Sequence, residues 1–452
     1  MVVRSNELRK LTAKNIKVSV SLDYQENSQG KGEYSMVKMS SKLTFGTDAT
    51  DWQERINVSR MREERAEKAR RAMRKHGIAA LLATQAHDFR YLTGLRGADF
   101  MPQLYYVLFF AEGDPAVFVH SGWLYQLPDQ APWIKNWRVA RAWFRSGPGP
   151  EATQEEAKLF AADIHQQLRE RGLAGEKLAI IGFDSAAREA LTTHGITLVD
   201  GWPLMLEATA IKTQDEINCM KIVAAICEAA WFKVWASLRP GMRDTDLSRI
   251  AIDAAYEAGA DEVPPLGFYT GPLSFERGFP KAGRMIQTGD LIYSSFCNIK
   301  YLGYLSCTYR TLIAGRKANQ KEKDMYQNLL DRLDAVIDAI KPGATTADAA
   351  KHFPPATKWG YKEEVEVLAA EIGHGIGLFM YGPPIINRQW SLEHPQVFEP
   401  GMTLAVEGRE GEFRAGGVRL ENMIVITKDG AEIIDHMPRD HIIEPPVSNC
   451  WG

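Results

Sequence analysis

From Asn57 onward the apolar positions follow two periods, and the period names the element. Met61 to Lys75 carries apolar residues at helical spacing among many Arg and Lys, which predicts an amphipathic helix ending before Gly77. Ile78 to Leu82 is a continuous apolar run, the signature of a short buried strand. Tyr105 to Phe110 and Ala116 to Val119 predict a hairpin around Glu112-Gly113-Asp114, Gln154 to Arg171 a helix, and Leu178 to Gly182 a strand. After Gly201 the pattern changes. Thr213 to Leu238 reads as a long helix with Thr213 as its N-cap, Asp215 and Glu216 in the first turn where they complement the helix dipole, and Pro240-Gly241 as its stop. A second helix is expected over Thr245 to Ala258, then strands over Leu291 to Cys297, Tyr301 to Ile313, Thr403 to Glu407 and Arg419 to Thr427, with the helix Gln320 to Ile340 between them. No repeat of solenoid period occurs.

At 452 residues the chain exceeds one ordinary core, so two domains are expected, over 51–205 and 206–440. Residues 1–50 differ from the rest: Gln25-Glu26-Asn27-Ser28-Gln29-Gly30 has no hydrophobic period and reads as a tail, and residues 441–452 as a second one. Lys31-Gly32-Glu33-Tyr34-Ser35 precedes Met36 as a translated ribosome-binding site would, which makes Met36 an alternative start. The 54 basic residues nearly balance the 57 acidic ones, giving a net charge of -3, too little excess for a nucleic-acid or membrane-surface partner. No apolar run is long enough to span a bilayer and no signal sequence is evident, so a cytoplasmic protein acting on a small molecule is expected. Five cysteines without a secretory signal make a disulfide framework unexpected.

The candidate chemistry lies in the second half. Gly373-His374-Gly375-Ile376-Gly377 flanks a histidine with glycines, which admit a ligand or backbone close to the imidazole. Glu407 ends the apolar run from Met402, and Glu421 is embedded in Val418 to Ile426. Acids in buried strands are costly unless paired, liganded or catalytic. Arg409 or Arg419 is available as a structural ion-pair partner, whereas two such acids beside a Gly-flanked His point to a site.

The motif order resembles a known superfamily. Ala210-Ile211-Lys212-Thr213-Gln214-Asp215-Glu216-Ile217, Gly289-Asp290, Gly303-Tyr304, Tyr309-Arg310-Thr311, the Gly373 to Leu378 segment, Glu407 and Glu421 together are similar to the pita-bread family of creatinase, aminopeptidase P and prolidase. The segment Ser40 to Gly46 with Arg60-Met61-Arg62-Glu63 is most similar to its dimethylsulfoniopropionate lyase branch. The resemblance implies an α/β N-terminal creatinase-like domain plus an α+β pita-bread C-terminal domain, and a homodimer. It also implies, for the peptidases, two divalent metals held by two Asp, one His and two Glu.

Here those acid positions fall on Ser295, Cys297 and Cys307. The expectation is therefore a site without metal, in which His374 is general acid/base and Glu407 and Glu421 orient it. The alternative is one zinc or iron ion on Cys297, Cys307, His374, Glu407 and Glu421. Tyr381 stands where the peptidases keep a second histidine, Gly278 where creatinase has its catalytic one, and Phe379-Met380 where the lyases have an acid. Tyr381, Arg277, Phe275, Phe296 and Trp231 are the expected substrate-binding residues, suited to a carboxylated aromatic or onium compound. The function expected is a non-peptidase enzyme cleaving a C–N or C–X bond; the alternatives are a single-metal or peptidase-like hydrolase and a catalytically silent binding module.

Overall fold

The helix Val58–Lys75 starts at Asn57, whose side chain accepts the Arg60 N–H, and it buries Met61, Ala69, Ala72 and Met73 along one stripe. In the computed structural model, residues 56–97, 102–275, 283–367 and 371–446 are described; the expected tail over 1–50 and Arg277 lie outside them. The described start of the second expected tail is instead packed, with Ile442 and Ile443 buried and Ile443 bonded to the backbone of Thr311 and Ile313. Strands β1 (Ala80–Ala83), β2 (Tyr105–Phe110), β3 (Ala116–Val119), β4 (Asn136–Val139), β5 (Leu178–Ile181) and β6 (Leu198–Asp200) form one sheet in the order β4-β3-β2-β1-β5-β6. Every residue of β1, β2, β3 and β5 is buried, because helices cover both faces of the sheet. Leu81, Val107 and Ile181 pack with Ala69, Met73 and Leu204 on one side, while Leu82, Leu108 and Ile180 pack with Phe160, Ile164 and Leu191 on the other.

The helix Gln214–Ser237 begins with the expected cap: the Thr213 hydroxyl and the Glu216 carboxylate bond reciprocally across the first turn. Asp215 beside it accepts the Asn57 N–H at 3.0 Å and the Arg60 guanidinium at 2.8 Å, so this turn ties the first helix of the N-terminal half to the C-terminal half. Beyond it lie β7 (Phe268–Thr270), β8 (Leu291–Ser295), β9 (Lys300–Tyr301), β10 (Tyr304–Leu305), β11 (Tyr309–Ile313), β12 (Ile372–Ile376), β13 (Met380–Ile386), β14 (Thr403–Glu412), β15 (Gly416–Thr427) and β16 (Gly430–Ile433). The expected strand from Tyr301 to Ile313 is broken into three, because Leu302 and Gly303 take positive φ and turn the chain between β9 and β10. The large sheet runs β13-β12-β14-β15-β11-β8-β7 with all neighbours antiparallel, and β16 adds to β15. Leu404, Val406, Leu420 and Ile424 face Leu329, Leu333 and Val336 of the helix Gln320–Asp338. Ala405 and Met423 belong to the opposite face, with Met220 and Val223.

Arg310, fully buried, pins this sheet to the chain that follows it. Its guanidinium donates to the carbonyls of Tyr309 (2.8 Å), Glu421 (2.7 Å), Met437 (3.0 Å) and Pro438 (3.0 Å) and pairs with Asp435. Asp435 in turn accepts the Met423 N–H at 2.7 Å and the Asn422 amide at 3.0 Å. Asp435→Ala would strand a buried guanidinium, and the expected loss is about 3–5 kcal/mol in urea unfolding; a loss below about 1 kcal/mol would refute this account of the pair.

A cavity of about 30 Å³ lies where the two halves meet, lined by His87, Asp88, Lys212, Glu216 and Phe379 among others. Burial pushes the Asp88 carboxyl up to about 7 and the Lys212 ammonium down to about 8. Because the Asp88 pKa is raised above its unfolded value of 3.8, its protonated form favours the fold at acid pH. That contribution is lost as pH rises toward 7, by roughly 3–5 kcal/mol across the shift. The variant Asp88→Asn should therefore flatten the fall in stability between pH 4 and 7; an unchanged slope would remove Asp88 as its source.

Candidate functional site

Antiparallel register and the two-residue alternation of strands set the candidate site out in rows. Paired residues share a face, so His374, Ala405 and Met423 form one row. Ile372, Glu407, Glu421, Tyr309 and Ser295 form the next. Arg409 and Arg419 form a third, continued by Thr311, whose hydroxyl binds the Arg419 backbone, and by Tyr293 and Tyr269. The alternate positions Leu404, Val406 and Leu420 are spent on the helix behind, which is why a strand this apolar presents acids on its other face.

His374, Glu407 and Glu421 are thus brought together and buried. The His374 Nε2 lies 3.9 Å from Glu421 Oε1, and its Nδ1 lies 3.2 Å from the Gly375 carbonyl oxygen. The ring of this Gly-flanked histidine is enclosed and stands 4.5 Å from that of Tyr381. Glycine is needed on its C-terminal side, since a Cβ on Gly375 would come 2.2 Å from the Pro383 carbonyl oxygen. Tyr381 itself is 42% exposed at a positive φ of 62°, a side chain held out at the mouth of the site.

Cys297 follows β8 and Cys307 precedes β11, and the register that opposes Ser295 to Tyr309 opposes them too. They form a disulfide, which the cysteine count did not lead us to expect: the fold, not the compartment, puts the two sulfurs side by side. Cys297 Sγ is 3.6 Å from Glu421 Oε2, and donor atoms of Cys297, Cys307 and Glu421 lie within 4.8 Å of one another.

Other expectations are corrected by packing. Trp231 and Phe296 are fully buried and stacked at 4.0 Å inside the core, where Trp231 donates to Thr308; they support the fold and do not line a substrate wall. Phe275 is buried over the Arg409 guanidinium, 4.4 Å from ring centre to carbon. Neither Arg409 nor Arg419 forms an ion pair among the described residues, so neither is the structural partner for the acids. The role of this arginine row was missed, although counting two residues on from Glu407 and two back from Glu421 places both guanidiniums on the site face.

A protein with this sheet and these rows is built as a pita-bread enzyme. The model described as metallopeptidase family M24 matches residues 218–428, and that of the creatinase/prolidase N-terminal domain matches residues 65–195. The chain is a member of the pita-bread superfamily of creatinase, prolidase and aminopeptidase P, and its two halves are the creatinase-like and pita-bread domains. It is 25% identical over 385 residues to the uncharacterized peptidase YqhT of Bacillus subtilis, covering 83% of this chain and 99% of that one. It is 26% identical over 380 residues to the probable dipeptidase PepE of Mycobacterium tuberculosis, covering 82% and 93%. The fold of an Xaa-Pro dipeptidase from Bacillus anthracis superposes with a TM-score of 0.67 at 24% identity, over 86% of this chain and all of that one. Among the described residues no helix is long and apolar enough to cross a membrane.

These matches overturn two expectations. A non-peptidase enzyme is not what relatives named as peptidases and dipeptidases indicate. A site without metal is likewise at odds with membership of a family described as metallopeptidases. The donor set here is short of acids for a pair of ions bridged by carboxylates, with Ser295 in the carboxylate row. It does fit zinc or iron(II), since reduction of the disulfide leaves two thiolates beside an imidazole and two carboxylates. Protein purified under reducing conditions should therefore retain zinc or iron by elemental analysis, and Cys307→Ser or Glu421→Gln should lower that content at least tenfold. Equal metal in the variants and the parent would exclude these residues as ligands.

Proposed function

We propose that the protein is a metal-dependent, peptidase-like hydrolase that cleaves short peptides in the cytoplasm as a homodimer. The observation that supports this most is the buried cross-strand pair of Glu407 and Glu421, with Glu421 near both His374 and Cys297, in a chain whose C-terminal domain matches a metallopeptidase family. Cys297, Cys307, His374, Glu407 and Glu421 would hold the ion. When bound, zinc or iron(II) supplies Lewis-acid polarisation of a carbonyl and a more acidic water.

The chain's own groups divide the remaining work. Glu421 stands between the imidazole and the sulfur pair, so its two oxygens orient both sides of the site at once. The burial of Glu407, Glu421 and His374 excludes bulk water and strengthens each electrostatic contact made there. Tyr381, half exposed beside the imidazole, offers a phenolic donor that can orient a substrate carbonyl, the task for which the related peptidases use a histidine.

Incubation of the reduced, zinc- or iron-loaded protein with a panel of dipeptides, read by release of free amino acids, tests the reading. Turnover that a chelator abolishes and the ion restores is expected; a fully loaded protein that cleaves no peptide in the panel would sink it. In the active enzyme Tyr381→Phe should reduce kcat at least tenfold with little change in metal content. An unchanged kcat would take Tyr381 out of the site.

A further inference from the structure

The third row of the face holds two guanidiniums and no acid. Arg409 and Arg419 are direct cross-strand partners, with 5% and 0% of their surface exposed. Two like charges buried side by side repel, and such groups are ordinarily neutralised by carboxylates. Here no described residue forms an ion pair with either. The nearby Glu371 carboxylate accepts instead from the Arg409 backbone N–H at 3.2 Å and from Arg332 at 3.3 Å. Arg419 Nη2 donates to the Phe275 carbonyl oxygen at 3.3 Å. Arg419 Nε and Nη1, Arg409 Nε and the Trp359 indole nitrogen are buried with no hydrogen-bond partner.

These donors lie among aromatic rings. The Arg409 guanidinium sits 4.4 Å from the Phe275 ring centre and 5.3 Å from that of Trp359, and the Arg419 guanidinium lies 5.0 Å from that of Tyr293. Aromatic faces accommodate a guanidinium but accept no strong hydrogen bond from its edge. The Tyr361 side chain hydrogen-bonds Arg409 and the Glu371 charge lies near it, but the remaining buried donors have no acceptor, and an anion is the ligand that satisfies them.

We propose that Arg409, Arg419 and the Trp359 N–H form a specificity subsite that binds a carboxylate of the substrate, one row along from Glu407 and Glu421. Positions i and i+2 of a strand are about 6.5–7 Å apart, so the anion lies roughly two residues' reach from the row of acids. Two sources meet that distance: the side chain of an Asp or Glu following the scissile bond, or the C-terminal carboxylate of a tripeptide. The proposal rests on reading this face as a hydrolase site, and binding tests it independently of turnover.

The test is calorimetric titration of the full-length protein with N-acetylglutamate amide, which has only the side-chain carboxylate, with N-acetyl-alanyl-alanine, which has only the terminal one, and with N-acetylglutamine amide, which has neither. At least one acidic probe should bind tenfold or more tighter than the glutamine amide, and the tighter of the two names the source. The variant Arg409→Met should abolish that preference and, by relieving the repulsion, melt no lower than the parent without ligand. Arg409→Lys should restore part of the preference. A merely structural arginine would instead give Arg409→Met a lower melting temperature and an intact preference. Equal affinity of all three probes for the parent, or no binding of any, overturns the subsite. Acid preference without hydrolysis of any peptide retains the subsite and refutes only the hydrolase reading.

Discussion

One buried guanidinium sets the register on which the candidate site depends. Arg310 donates to the carbonyl oxygen of Glu421 while paired with Asp435, which itself holds the Met423 N–H. Strand β15 is thereby gripped on both sides of Asn422, so Glu421 cannot slip along the sheet without breaking charge-assisted bonds inside the core. A slip of one residue would turn Glu421 and Arg419 toward the helix Gln320–Asp338 and bring Leu420 onto the site face. The pair costs desolvation, and the bonds to four carbonyls offset it by satisfying groups that sheet pairing leaves over.

Within that register the face is ordered by charge. Imidazole, carboxylates and guanidiniums occupy successive rows, and the sulfur pair, two residues beyond Ser295 and Tyr309, lies within reach of Glu421. Low dielectric makes each group sensitive to what is bound near it. Ser295, Cys297 and Cys307 lower the formal negative charge of the first two rows, and sulfur replaces oxygen as donor. The third row holds two arginines as direct cross-strand partners and no acid.

The sequence argument went astray where it treated missing acids as a missing metal. Carboxylate positions filled by cysteine change which ion the donors suit, and charge counting alone does not register that. The comparisons correct it from a different direction, because similarity at about 25% identity is spread over most of the chain and does not depend on the three altered positions. The aromatic residues illustrate the opposite error. Trp231 and Phe296 are chemically suited to a cavity wall, yet their stack is interior, since a helix face rich in rings is first of all a packing surface.

Much of the architecture was legible in local pattern. The α/β half, the capped helix at Thr213, the long helix before Pro342 and the acid-bearing strands follow from period, caps and breakers, which act over a few residues and are written directly in the chain. His374, Glu407 and Glu421 were legible for a related reason: polar groups in apolar or glycine-rich strands violate the local rule. Three things were decided only by tertiary structure. Cys297 meets Cys307 because two strands pair antiparallel, Tyr381 meets His374 because a hairpin folds back, and Arg409 meets Arg419 because β14 and β15 share a register. Each is a contact between residues distant in the chain or across a turn, and such contacts are set by which strands pair and in what register rather than by any local preference of the residues themselves.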